Sequence, residues 1–202
     1  KGSGGDAVSK GLQIEHGLPY DELPALVVID MRDGGRKYIS SLQPPGVSVG
    51  SYFERVAAKE AGIEAYVRSE PEPTEQEQAA VEVKVIVGSS FDRMVLEGEH
   101  EVLLEAYAPW CGHCKKLLPA YERLGRLFKN EDRVMIAKID ATANELPPAL
   151  NVRGFPTLLW FGRSKGEGGG GGGTKSLAGA KRYDGKRDTK AFAKWIVEHS
   201  SY

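Results

Sequence analysis

Trp110-Cys111-Gly112-His113-Cys114-Lys115-Lys116 contains both cysteines of this 202-residue chain, and the patterns on either side of it indicate the fold. Apolar residues lie on both sides of the two-residue period over 102–107, which predicts a strand buried on both faces. Apolar residues recur at helical spacing from Leu117 to Phe128. The pattern therefore places Cys111 in the first turn of a helix that begins directly after a buried strand.

A cysteine at a helix N-terminus is expected to be reactive. The first backbone N–H groups of a helix have no partner within it, and the helix dipole places partial positive charge there. We therefore predict that Cys111 ionises more readily than a free cysteine, and that the imidazolium of His113 favours the anion further. A stabilised thiolate makes the matching disulfide a stronger oxidant. In this interpretation Cys111 attacks a substrate disulfide, and Cys114, one turn further along and set deeper, resolves the mixed disulfide.

Three other interpretations of the cysteine pair compete with a redox site. A structural disulfide would close a loop of only four residues and would contribute about 2 kcal/mol. A zinc site needs four ligands, whereas His16, His100 and His199 show no ligand spacing. Two inert buried thiols are disfavoured by the small or polar residues beside them. The redox interpretation is favoured over all three.

Composition and charge narrow the class of protein. A net charge of −1 argues against a nucleic-acid partner or a membrane surface, and no apolar run approaches the length of a membrane span. The first residues, Lys1 to Asp6, lack the apolar region of a signal peptide, so we expect none. A single close cysteine pair occurs in cytosolic and secretory redox proteins alike, and it does not set the compartment.

The order of patterns along the chain predicts two units. Residues 1–17 are expected to be a flexible lead-in, and residues 69–80, acidic and rich in proline, a solvated linker at a domain boundary. Between them, at 18–68, the patterns predict a strand, a turn, a returning strand and a helix, over 23–30, 33–35, 36–39 and 49–66 respectively.

Residues 81–202 alternate strands and helices, which predicts an α/β sandwich with a mixed sheet. The last two strands are expected to pair antiparallel, with the final helix across one face and Asp188 as its N-cap. Six glycines at 168–173 lengthen the connection between those strands, without an evident role. The predicted strands lie at 81–88, 102–107, 133–140, 157–161 and 181–183, and the predicted helices at 91–96, from Cys111 to Phe128, at 145–150 and from Asp188 onward.

The second unit resembles a catalytic thioredoxin-fold domain of the protein disulfide isomerase family. The resemblance rests on Ala108-Pro109-Trp110-Cys111-Gly112-His113-Cys114-Lys115, on Glu105 upstream, and on Gly154-Phe155-Pro156-Thr157 downstream. The segment 136–144 is similar to the last catalytic domain of a family member. Residues 18–68 resemble the tail of the non-catalytic domain that precedes it, a partial thioredoxin-like β-β-α segment. A cytosolic thioredoxin usually carries Gly-Pro between its cysteines, so His113 favours the isomerase side.

The resemblance implies a proton-handling role for charged residues near the pair. Glu105 and Lys138 stand in strands that are otherwise apolar on both faces. They either lie at strand ends in solvent or pair beneath the active site, and we favour the pair because a buried charge is costly alone. Glu105 is then implied to accept the Cys114 proton, which suits a carboxylate whose pKa is raised by burial. Arg187 is implied to swing toward the site and lower the pKa of Cys114.

The resemblance also implies a substrate surface beside the cysteines. Pro156 is implied to be a cis proline packed against the pair, leaving the backbone of Gly154 and Phe155 free to pair with an extended substrate segment. Trp110 is either a core aromatic or part of that surface, and we expect it to be half-exposed.

Together, the residues and the resemblance predict a thiol-disulfide oxidoreductase and isomerase that acts on unfolded or misoxidised client proteins. No bound cofactor is expected, and glutathione or an oxidase is the expected redox partner. An endoplasmic reticulum lumen location follows from the resemblance alone. Two alternatives stay open: a peptide-binding chaperone module without redox chemistry, and a general thioredoxin-like reductant. We expect neither a nucleic-acid partner nor membrane insertion.

Overall fold

A computed structural model describes residues 25–30, 36–41, 48–58, 67–163 and 174–201. The chain divides into two compact units, residues 1–68 and residues 69–202. The expected lead-in at 1–17, the turn at 33–35 and the glycine run at 168–173 lie outside the described residues. None of the helices in the described part of the chain is long and apolar enough to cross a bilayer.

The first unit contains a hairpin and a helix. Strands β1 (Ala25–Asp30) and β2 (Arg36–Ser41) pair antiparallel, as the sequence predicts. Helix α1 (Val49–Ala57) begins after Ser48, whose side chain accepts a hydrogen bond from the Ser51 N–H at 3.1 Å. The predicted helix extends to Tyr66, but residues 59–66 lie outside the described residues. A small apolar cluster joins the hairpin to the helix: Val28, Tyr38, Tyr52 and Val56.

The second unit is built on a mixed five-stranded sheet, in the order β3-β5-β4-β6-β7. Its central strand β4 pairs parallel with β5 and antiparallel with β6, while β3 and β7 form the edges. The mixed sheet predicted from the sequence is confirmed. The strands are β3 (Lys84–Val85), β4 (Glu101–Tyr107), β5 (Val134–Asp140), β6 (Thr157–Phe161) and β7 (Lys181–Arg182).

Helical elements flank this sheet and close a core on each of its faces. On β4, Leu103 faces one core while Val102 and Leu104 face the other, because successive side chains of a strand point to opposite faces. The Leu103 core is closed by the two long helices, and the other by the π-helix. The helical elements are α2 (Glu75–Ala79), the π-helix (Asp92–Leu96), α3 (Gly112–Phe128), a 3-10 turn (Pro148–Leu150) and α4 (Thr189–His199).

Several elements are shorter than predicted, and the final helix is as predicted. The strand expected at 81–88 is reduced to β3, and the helix expected at 145–150 is reduced to the 3-10 turn. Pro147 and Pro148 explain the second difference, because they cannot donate the backbone hydrogen bonds of a longer helix. Helix α4 begins after Asp188, whose carboxylate accepts from the Ala191 N–H at 2.9 Å.

Residues 69–80 are largely exposed to solvent, as the composition predicts, but they belong to the second unit and are bound to the rest of it by hydrogen bonds. Thr74 and Glu77 form a capping box that starts helix α2. The side-chain amide of Gln78 then pairs with Val85 of the edge strand β3: it donates to the Val85 carbonyl at 2.5 Å and accepts from the Val85 N–H at 3.1 Å. An acidic, proline-rich composition predicts solvation on average, but here polar side chains bind backbone groups.

Buried Asn144 holds the start of this segment. Its Oδ1 accepts from the Glu70 N–H at 2.9 Å and from the Gly88 N–H at 3.0 Å. Its Nδ2 donates to the Glu70 carboxylate at 2.8 Å and to the Asp140 carbonyl at 3.0 Å. One side chain thus joins residue 70 to two loops of the second unit.

Replacing Asn144 with alanine should release this segment. Asn144→Ala leaves the buried Gly88 N–H without its partner, so the free energy of unfolding should fall by about 1–3 kcal/mol. Urea unfolding measures the loss, and amide hydrogen exchange at Glu70 and Gly88 should accelerate. Asn130→Ala, at an exposed asparagine after α3, is the matched control. Wild-type stability and exchange in Asn144→Ala would contradict this role.

Candidate active site

The cysteine pair lies where the central strand meets helix α3. Strand β4 ends at Tyr107, and Cys111 is the N-cap of α3. The helix is fixed to the sheet by Tyr121, whose hydroxyl oxygen lies 2.8 Å from the Leu103 carbonyl oxygen and 2.9 Å from that of Ala137. The predicted position of Cys111 at the start of a helix after a buried strand is confirmed.

Cys111 is arranged to become a thiolate. Its Sγ accepts a hydrogen bond from the Cys114 N–H at 3.4 Å and lies 3.5 Å from the Phe155 carbonyl oxygen. Hydrogen bonds from the Cys114 thiol and then from the Cys114 backbone N–H lower the pKa of Cys111, with a smaller contribution from the His113 backbone N–H. Desolvation opposes these effects only in part.

Cys114 is arranged to stay protonated. Burial, and next its hydrogen bond to the Cys111 sulfur, raise the pKa of Cys114 to about 11. The exposed fractions of the two residues are similar, 8% for Cys111 and 6% for Cys114. Although these exposed fractions are close, desolvation affects the Cys114 thiol more strongly than the Cys111 thiol, in the direction that the sequence predicts. The opposite shifts are those that an attacking and a resolving thiol require.

His113 contributes less to the lowered pKa of Cys111 than the sequence indicates, and Gly112 has no close neighbour that requires a glycine. His113 is exposed, and it lowers the pKa of Cys111 through its backbone N–H instead of the predicted imidazolium. Gly112 is exposed as well, and no atom lies within 4 Å of the place where a Cβ would be. A side chain would therefore fit sterically between the cysteines.

Glu105 is the buried acid beneath the pair. It is 3% exposed in β4, and desolvation raises its pKa to about 7, although the charges of Lys138 and Arg187 oppose this rise. The direction of the shift agrees with the prediction from burial. The Glu105 charge also raises the pKa of Cys114, so the two groups influence each other electrostatically.

The prediction that Glu105 and Lys138 form an ion pair is wrong. The residues are register partners on the adjacent strands β4 and β5. Within the described ranges, however, no ion pair of 4.0 Å or less joins them. The ammonium of Lys138 instead lies 6.0 Å from the centre of the Tyr107 ring. Lys138 therefore influences Glu105 through its charge, at a distance longer than that of an ion pair.

Arg187 acts on a different group from the one implied by the resemblance. It is exposed, and its charge lowers the pKa of Glu105. It is not among the groups that shift the pKa of Cys114, which the resemblance implied. In this structure the charge of Arg187 thus acts on the buried acid.

The predicted substrate loop lies against the cysteine pair. The Phe155–Pro156 peptide bond is cis, as implied by the resemblance. Phe155 packs with Cys111 and Cys114, and its ring meets the Trp110 ring edge-on, with centroids 6.0 Å apart. Trp110 is 72% exposed, more than the half-exposed position expected.

Two side chains in or near this loop, those of Thr157 and Arg182, make contacts that the sequence analysis does not predict. The Thr157 hydroxyl donates to the Gly154 carbonyl at 2.7 Å, which uses one of the two lone pairs of that oxygen. The Arg182 guanidinium in turn donates to the Thr157 hydroxyl at 3.1 Å. No local pattern could indicate the contact between Arg182 and Thr157, because the two residues are 25 positions apart in sequence.

The site combines a dithiol at the N-terminus of a helix with the buried central strand before it and the Pro156 loop beside it. On a mixed α/β sheet, this arrangement defines a thiol-disulfide site. The thioredoxin family model matches residues 82–198, and the chain belongs to the thioredoxin family.

Curated relatives lie within the protein disulfide isomerase group. A protein disulfide-isomerase from Datisca glomerata is 36% identical over 192 residues, covering 95% of this chain and 34% of that protein. One from Humicola insolens is 42% identical over 147 residues, covering 69% and 25%. Protein disulfide-isomerase A4 from Bos taurus is 36% identical over 171 residues, covering 84% and 24%. These matches confirm the resemblance to that family, although the chain spans about a third or less of each relative.

Solved structures of thioredoxin domains also match this chain. The first thioredoxin domain of mouse protein disulfide-isomerase A4 is 33% identical, with a TM-score of 0.46, covering 58% of this chain and 74% of that chain. The Trx4 domain of ERdj5 is 21% identical, with a TM-score of 0.49, covering 58% and 95%.

The raised pKa of Glu105 predicts how stability depends on pH. The folded state holds the Glu105 proton up to a pH of about 7, whereas the unfolded chain loses it near the ordinary value of 4.5. The stabilisation of the folded state by protonated Glu105 is therefore complete below pH 4.5 and is lost as pH rises through about 7. The difference in free energy of unfolding between wild type and Glu105→Gln should fall by about 3 kcal/mol over that interval.

Urea unfolding of the reduced protein at several pH values measures this difference. Glu122→Gln, at an exposed glutamate on α3, is the control. A difference between wild type and Glu105→Gln that does not change with pH would show that Glu105 titrates as an ordinary carboxyl group.

The hydrogen bonds to Cys111 predict a contrast between two variants of Cys114. Cys114→Ser keeps a side-chain donor toward the Cys111 sulfur, whereas Cys114→Ala leaves only the backbone N–H. The pKa of Cys111 should be higher in Cys114→Ala by roughly one unit, the equivalent of about 1 kcal/mol. The pH dependence of alkylation by iodoacetamide measures both values. Equal pKa values in the two variants would exclude the thiol as a donor to Cys111.

Proposed function

We propose that this chain carries a thiol-disulfide oxidoreductase and isomerase site that forms, reduces and rearranges disulfides in folding proteins through its Cys-Gly-His-Cys sequence. The observation that carries the proposal is the opposite shift of two thiols three residues apart. The pKa of Cys111 is lowered at the helix N-terminus, while that of Cys114 is raised to about 11. Cys111 is thus the attacking thiol, while Cys114 stays protonated until the resolving step.

In the reductive direction, the Cys111 thiolate attacks one sulfur of a client disulfide. A bond forms between Cys111 and the client, and the other client sulfur leaves as a thiolate. Cys114 then loses its proton and attacks the Cys111 sulfur, which releases the second client thiolate. The client gains two electrons, and Cys111 and Cys114 become a disulfide. The reverse sequence oxidises a client dithiol.

Glu105 is the proposed acceptor of the Cys114 proton. Its pKa of about 7 allows it to be unprotonated before the resolving step and to release the proton afterward. Lys138 and Arg187 support this role, because their charges favour the carboxylate.

Isomerisation uses the same mixed disulfide without net redox change. The released client thiolate attacks a different disulfide of the same client, and a client thiolate later displaces Cys111. A high pKa at Cys114 supports this route, because a protonated resolving thiol attacks slowly and leaves time for rearrangement.

The surroundings of Cys111 suit a polypeptide substrate. The exposed Trp110 and the neighbouring Phe155 offer apolar surface beside the sulfur. We propose unfolded or misoxidised proteins as clients and glutathione or an oxidase as redox partner, with no bound cofactor because electrons pass between sulfur atoms only. The relatives named protein disulfide-isomerase support the endoplasmic reticulum lumen as the proposed location.

Two assays on the same protein test this function. The wild-type chain should reduce insulin and should restore activity to a scrambled disulfide-containing enzyme in a glutathione buffer. Cys111→Ser should abolish both activities, whereas Cys114→Ser should attack once and accumulate the mixed disulfide. Arg126→Gln, at the far end of α3, is the control that keeps both.

Each alternative function predicts a different outcome. Full promotion of refolding by Cys111→Ser would contradict the redox proposal and favour a peptide-binding chaperone module. Insulin reduction without any rearrangement of the scrambled enzyme would favour a general thioredoxin-like reductant.

A further inference from the structure

We propose that Arg182, on the edge strand β7, is a positioning residue that holds the substrate loop against the cysteine pair and thereby sets the affinity for client segments. The inference rests on the proposed function, because the loop binds clients only if the pair acts on them. Neither the motifs nor the resemblance assigns a role to this arginine.

The Arg182 guanidinium joins both ends of the loop at 151–157. One terminal nitrogen donates to the Thr157 hydroxyl at 3.1 Å, and the other donates to the Asn151 carbonyl at 3.2 Å. A guanidinium is planar and presents its donors in a fixed fork, so two acceptors bound to it are held at a fixed separation. Lysine, with one mobile ammonium, cannot reproduce this geometry.

Thr157 transmits the constraint into the middle of the loop. Its hydroxyl accepts from Arg182 and donates to the Gly154 carbonyl at 2.7 Å. At the other end, Asn151 has a left-handed backbone with φ of 49°, and its side-chain oxygen accepts from the Arg153 guanidinium at 2.8 Å. Hydrogen bonds therefore fix the backbone before and after Phe155.

Phe155 connects the fixed loop to the reactive sulfur. Its carbonyl oxygen lies 3.5 Å from the Cys111 sulfur, and its ring supports the exposed Trp110. A loosened loop would displace both the apolar surface that meets a client and the carbonyl beside Cys111. Arg182 has no hydrogen bond to either cysteine, so its effect should appear in binding before it appears in chemistry.

Packing alone does not hold the loop on the Arg182 side. A cavity of about 110 Å³ lies behind it, lined by Pro156, Thr157, Leu158, Arg182 and Arg187, among others. A close-packed interior resists displacement, whereas a loop that borders open space can move into it. The hydrogen bonds of Arg182 therefore add to the sheet pairing of Thr157 with Ala106 in holding this side of the loop.

Steady-state kinetics of the full chain test the proposal with reduced glutathione as the reductant that returns the pair to the dithiol, after subtraction of the uncatalysed rate. Two substrates are compared: an uncharged disulfide-bonded peptide that contacts the loop, and a dipyridyl disulfide too small to need it. Arg182→Gln should raise KM for the peptide by about two- to tenfold, the range expected from one net hydrogen bond. The kcat and the rate with the dipyridyl disulfide should not change.

Three further variants separate the geometry of Arg182 from its charge. Arg182→Lys should raise KM as much as Arg182→Gln, because it keeps the charge and loses the fork. Thr157→Val should raise KM too, and the double variant Arg182→Gln/Thr157→Val should be no worse than the poorer single variant, because both act through one relay. Lys181→Gln, the exposed neighbour on β7, is the matched control with wild-type KM.

The indole N–H resonance of Trp110 gives a readout that does not depend on turnover. It should shift in Arg182→Gln and Arg182→Lys, because the Phe155 ring moves relative to Trp110, and should stay in place in Lys181→Gln. Wild-type KM and an unshifted Trp110 resonance in Arg182→Gln would overturn the proposal, as would wild-type behaviour of Arg182→Lys. Failure of the wild-type chain with both disulfides would instead count against the proposed function, while the resonance would still test Arg182.

Discussion

The hydrogen bond from the Cys114 backbone N–H to the Cys111 sulfur, at 3.4 Å, is the interaction on which the rest of the site depends. An N-cap usually offers an oxygen atom to the unpaired N–H groups of the first turn. Here a sulfur takes that place, so the start of helix α3 and the stabilisation of a thiolate are one structural feature. The buried strand β4 and the hydroxyl of Tyr121 fix this helix start against the sheet.

Burial raises the pKa values of Cys114 and Glu105, whereas hydrogen bonds lower that of Cys111. Cys114 and Glu105 both lie where charge is poorly solvated, so their pKa values rise, to about 11 and about 7. The low-dielectric interior therefore keeps the proton on the resolving thiol and places an acid of intermediate pKa nearby. Lys138 and Arg187 moderate Glu105 through their charges. Hydrogen bonds thus lower the pKa of Cys111, while desolvation raises those of Cys114 and Glu105.

The sequence predicts the parts of the structure that depend on local pattern. The strand before the cysteines, the helix after them, the first hairpin and the helix capped by Asp188 each follow from periodicity or a cap. Contacts between distant residues do not follow from such patterns. Composition correctly indicates an exposed segment at 69–80, but it does not indicate that the buried Asn144 binds Glu70 across 74 positions of sequence. Likewise, the strand pattern places Lys138 beside Glu105 but does not show that its ammonium turns toward Tyr107.

The reduction potential of the Cys111–Cys114 pair, measured by equilibration with glutathione, shows whether the helix start stabilises the Cys111 thiolate. A thiolate stabilised at the start of α3 favours the reduced form, so the potential should lie well above the about −270 mV of thioredoxin, toward the about −180 mV of protein disulfide isomerase. A potential at or below that of thioredoxin would show that the helix start does not stabilise the Cys111 thiolate enough to make the pair an oxidant for client proteins.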